Sequence, residues 1–91
     1  MDRAARAHMQ ARIVMVVYRA EMRRLALLDI SPADRLEWEI ALQRRSIELL
    51  DEALTKLGRG PARHIDAKRH LADARAEIPD PDAAPERERA V

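Results

Sequence analysis

The chain has 91 residues, enough for one small domain and too few for two. Seventeen alanines bury little each, leaving 26 larger apolar side chains and no Phe, so burial scarcely outweighs chain entropy. Seventeen basic and 16 acidic side chains nearly cancel, which excludes a strong global field for nucleic acid or anionic membranes, and the lack of Cys excludes disulfides and thiolate metal sites.

The opening segment, MDRAARAHMQ, shows no basic start followed by an apolar run and a small-residue cleavage site. The apolar run Ile13–Tyr18 is far short of the ~20 residues that span a bilayer. These features predict a cytoplasmic protein with no membrane contact.

A first helix is expected over residues 2–29. At 100° per residue, Met9, Ile13, Val16, Ala20 and Leu27 lie along one side. Ala11, Met15, Tyr18, Met22 and Leu25 lie along the opposite side, and His8, Arg12, Arg19 and Arg23 form the polar flank. A helix that is apolar on two faces is covered from two directions. A strand would account for the Val-rich run but not for spacings of three and four from Met9 to Leu28.

The break at DISPAD supplies a cap in Ser31, a first-turn proline in Pro32 and an acid in Asp34. The second helix is expected over residues 32–57. Leu36, Ile40, Gln43, Ile47, Leu50, Leu54 and Leu57 form an unbroken heptad seam. Trp38, Leu42, Leu49 and Ala53 make a second row. Pairs four apart, such as Arg35–Glu39 and Arg44–Glu48, can support the exposed side. Gln43 is the one polar seam residue, of the kind that fixes register at some cost in stability.

GRGP ends this helix, since Gly58 or Gly60 can take a left-handed conformation and Pro61 can open the next. The third helix is expected over residues 62–78, with a narrow seam of Ala67, Leu71, Ala74 and Ile78. Residues 79–91, PDPDAAPERERAV, read as a disordered Pro-rich and charged tail. The domain is thus residues 1–78. It is an all-α fold: an elongated antiparallel helical hairpin with a shorter third helix. One weak helix cannot cover two faces on two long ones, so a homodimer or another helical protein is expected to cover the rest.

Asp66, His70, Asp73 and Glu77 share one face of the third helix at metal-ligand spacing. No second helix offers a matching cluster, so no metal and no cofactor are expected. Arg59, Arg63, His64, Lys68 and Arg69 gather at the start of that helix, where free N–H groups and cations can contact phosphate. Two acids on the same helix and a long preceding helix speak against a DNA-reading motif. Ser31 is a cap, and Ser46 has no activating partner placed by sequence, so no catalytic residues are assigned.

The reading is therefore a small protein–protein interaction module, an adaptor, regulator, inhibitor or chaperone acting by helix-on-helix docking. Its contact area is assigned to Met15, Tyr18, Met22, Trp38, Leu42 and Leu49. The alternatives are a nucleic-acid-associated regulator using the basic start of the third helix and, behind it, a small all-helical enzyme.

Overall fold

The computed structural model describes residues 2–60 and 63–83, the Arg63 side chain excepted. Their order is α1 (Arg3–Leu27), α2 (Pro32–Leu57) and α3 (Arg63–Glu77), with no strand among the described residues. The fold is all-α. None of these helices is long and apolar enough to cross a membrane.

Each helix start has a local cause. The Asp2 carboxylate accepts a hydrogen bond from the Ala5 N–H at 2.7 Å. The Ser31 hydroxyl accepts from the Asp34 N–H at 3.1 Å, with Pro32 in the first turn of α2. Both side chains satisfy a backbone donor that the helix itself leaves without a partner. The helix α2 ends at Gly58, whose φ of 59° and ψ of −157° are open to glycine at little steric cost. After α3, Ala83 N–H donates to the Asp80 carbonyl, so residues 80–83, near the start of the segment expected to be disordered, form a turn. The rest of that expected tail, residues 84–91, lies outside the described residues.

The link between α1 and α2 is only four residues long, and α2 returns along α1. Residues 49–57 lie beside 3–10, and residues 37–42 lie beside 21–25. The Arg35 guanidinium fixes the corner: Nε donates to the Leu25 carbonyl at 3.0 Å and Nη2 to the Leu28 carbonyl at 2.6 Å. It thereby serves carbonyls at the negative end of α1, instead of pairing with Glu39.

The core gathers Ala4, Ala7, Ala11, Val14, Met15 and Tyr18 of α1 with Ile47, Leu50 and Leu57 of α2. From α3 it takes Ala67, Leu71, Ala74 and, just past the last turn, Ile78. The narrow seam read from the α3 sequence is thus buried along its whole length. The described chain measures 47 × 37 × 15 Å.

Leu71 is 1 % exposed and Leu27 is 87 % exposed. Leu71→Ala should therefore lower unfolding stability by roughly 2–5 kcal/mol, as cavity-forming core truncations do. Leu27→Ala should stay within about 0.5 kcal/mol for the isolated chain. Urea denaturation followed by circular dichroism compares the two, and equal losses would contradict the burial described.

Candidate functional site

Two of the six residues assigned to a partner interface are not available to one. Met15 and Tyr18 are buried within the single chain, and Met22 packs on the same core. The face of α1 that carries them is the one that α2 and α3 cover. The opposite row stays outside: Met9, Ile13, Val16 and Leu27 are all exposed, with Ile13 at 50 % and Val16 at 59 %. The contact area expected on α1 therefore moves across the helix. The physical reason is the match between short side chains at Ala4, Ala7 and Ala11 and those at Ala67 and Ala74, all buried together.

The other three residues, on α2, lie along a groove. Leu42 and Leu49 are partly buried against the core, and Trp38 is half exposed at 54 %. At one end the groove is lined by Arg3, Arg6, Gln10, Leu49, Glu52 and Lys56. At the other end it is lined by Glu21, Leu25, Glu37, Trp38 and Leu42. On α1 the lining residues of both ends fall within an arc of about 100°. They therefore belong to one side of the α1–α2 pair. Leu50, Leu54 and Asp51 face α3 through Leu71 and Arg75, on the opposite side. Gln43 is half-buried.

The basic start of α3 does not converge. Arg59 and Arg69 are exposed and Lys68 is half-buried, whereas His64 is 5 % exposed and part of the packed interior. Assigning His64 to phosphate contact is a misreading. Its spacing of three and seven to Ala67 and Leu71 places it at the head of the α3 seam. The Arg63 side chain lies outside the described residues. Among the described residues the buried His64 Nδ1 has no hydrogen-bond partner, and a Cβ at Gly60 would collide with its ring. A side chain at Gly60 would therefore displace the His64 imidazole.

The arginine flank of α1 and the acidic face of α3 pack against one another. The Arg19 guanidinium donates to the Glu77 carboxylate, and His8 Nδ1 meets His70 Nδ1 at 2.8 Å, with ring centroids 5.1 Å apart. That contact requires one imidazole to donate and the other to accept. His70 and Glu77, two of the four residues at metal-ligand spacing, are thereby engaged with α1, while Asp66 and Asp73 face solvent.

Further ion pairs tie down the C-terminal end of α3. Arg75 Nε donates to Asp51 at 2.9 Å, joining α3 to α2. Arg44 Nη2 reaches Asp82 at 2.7 Å, with Nε 3.1 Å from both carboxylate oxygens. The hydrogen bonds from Arg44 hold the Asp82 carboxyl below the ordinary aspartate range, and the same pairing raises Arg44. Since the folded-state value of Asp82 is depressed, this clasp is intact above the ordinary aspartate range and is lost as pH falls through the depressed value.

Two outcomes follow from this geometry. His64→Leu keeps the seam apolar and removes an unpartnered buried donor or acceptor, so it should raise stability by roughly 1–3 kcal/mol in urea titration. A loss of stability would mean that the ring nitrogen has a partner. In a carboxyl-carbon NMR titration, Asp82 should have a midpoint below that of an unpaired aspartate. Arg44→Ala should bring the midpoint back to the ordinary range.

No family model, curated protein sequence or solved structure is similar enough to this chain to match it, so the site is argued from its own residues.

Proposed function

We propose that the chain is a protein–protein interaction module that works by helix-on-helix docking, with α1 and α2 forming an elongated antiparallel hairpin braced by α3. The observation that carries this reading is the apolar row of α1 left outside the core, Met9, Ile13, Val16 and Leu27. In a chain with so few large apolar residues, leaving such a row in water is costly, and contiguous exposed apolar surface marks an interaction site. In this reading Gln43 sets register within the hairpin. No catalytic step is assigned to the chain.

A second copy is the first occupant for that row. A twofold dimer sets the same surface against itself, so that Met9 of one protomer meets the region of Leu27 in its partner. The row is bordered by Arg12 and Arg23, which have no ion-pair partner among the described residues. An antiparallel pair brings Arg12 of one protomer toward Arg23 of its partner. Self-association through this row is therefore opposed by charge and should tighten as salt screens it.

Light scattering on a sizing column, across a tenfold dilution and at two salt concentrations, tests the reading. The expected result is a dimer whose population rises with salt, and a monomer for Val16→Asp with unchanged helix content. Val16 is exposed in the single chain, so the substitution leaves the core alone. A monomer at every concentration and salt would sink the dimer.

A further inference from the structure

We infer that the groove between α1 and α2, on the side away from α3, seats an amphipathic helix of a different protein, one with a basic first turn and an acidic last turn. The inference rests on the interaction-module reading but not on the dimer, because the groove and the outer row of α1 are separate surfaces.

Three observations carry it. The floor is apolar and partly covered, with Leu42, Leu49 and Ala53 packed against the core and Trp38 half exposed at one end. That is the form of a groove that takes the apolar side of a helix. From Arg6 to Glu21 it is ~22 Å long at 1.5 Å per residue, the length of four helical turns.

The two ends differ in charge. Arg3, Arg6 and Lys56 face one acid, Glu52, at the first end. Glu21 and Glu37 line the second end, with Glu21 also held by Arg24 at 2.8 Å. A bound helix is itself polar along its axis, positive at its N-terminus and negative at its C-terminus. Axis and groove agree in only one direction: the N-terminus lies by Glu37 and Trp38, the C-terminus by Arg6 and Lys56. The bound helix then runs parallel to α2.

A second copy of this chain does not supply such a helix. The N-terminal turns of α1 carry Arg3 and Arg6 and suit the acidic end, but its last turn carries Arg24, which would meet Arg6 and Lys56. An anionic membrane surface fits less well than a helix. The groove walls carry charges of both signs, so an anionic surface laid on the groove would meet Glu21, Glu37 and Glu52 as well as its basic residues.

The test uses the single Trp of the chain as reporter. Two peptides of about 18 residues, without Trp or Tyr, share one Leu/Ile stripe at helical spacing. One has Lys in its first turn and Glu in its last, and the other has these reversed. Titration into the Val16→Asp variant removes self-association from the signal. The expected result is a blue shift of Trp38 emission and at least tenfold tighter binding of the Lys-first peptide. Arg6→Glu with Lys56→Glu leaves acids at both ends and should abolish that preference, with folding checked by circular dichroism. Equal binding of both peptides, no binding of either, or a shift seen only with phosphatidylglycerol vesicles would each overturn the inference. A failure here with a dimer still observed by light scattering would leave the interaction-module reading standing.

Discussion

The structure depends on how α1 and α3 close on each other through small side chains. Ala4, Ala7 and Ala11 of α1 are buried with Ala67 and Ala74 of α3, and Ala11 and Ala67 are completely covered. Helices lined by alanine can approach to the short end of the ~8–10 Å range of axis separations. Close approach is gained at the expense of area, since a methyl group buries little. The larger contributions therefore come from Leu50, Leu57 and Leu71, the three large side chains with under 2 % exposure. These three come from α2 and α3, so α3 is needed to complete the interior of the long pair. A 15-residue helix covers one side of that pair and no more.

Charge then decides which way α3 lies on α1. Six arginines and a single acid stand within α1, while α3 turns His70 and Glu77 toward it. Exposed ion pairs such as Arg19–Glu77 contribute only ~0–1 kcal/mol each. Their effect is orientational: Lys68 and Arg75 lie on the other flank of the α3 seam, and a reversed α3 would set them against the arginine flank. Arg35 acts more strongly on the corner, because it donates to the Leu28 carbonyl and to the Leu25 carbonyl, which also accepts the Leu28 N–H at 3.3 Å. The four-residue link and this one guanidinium together set the angle at which α2 returns.

Helix ends and the α3 seam were legible because each has a local chemical cause. Ser31 with Pro32, Gly58 three residues ahead of Pro61, and the three–four spacing of Ala67, Leu71, Ala74 and Ile78 depend on neighbours within one or two turns. The choice between the two apolar faces of α1 was not legible. Met15 and Tyr18 on one side and Ile13 and Val16 on the other have similar hydrophobicity and the same period. What separates them is complementarity to an alanine seam 60 residues away, which periodicity within α1 does not register. Arg35 and Arg44 had suitable carboxylates four residues on, yet one serves α1 carbonyls and the other Asp82. His64 was read by its basic surroundings, although its spacing to Ala67 and Leu71 already placed it in the seam.

The surplus apolar surface on α1 and the groove beside it are separate surfaces that share a border. Arg6 stands at the border between them, lining the groove and adding to the positive charge along α1. Two outer rows set face to face bring that charge together with its copy. An acidic helix end seated by Arg3, Arg6 and Lys56 would lower the charge that each row presents to the other. Binding in the groove would then favour pairing of the rows, and pairing would favour the groove by the same factor, since a coupling free energy between two sites is reciprocal. A small chain with too few large apolar residues to finish its own core would in this way use charge to link the two contacts that finish it.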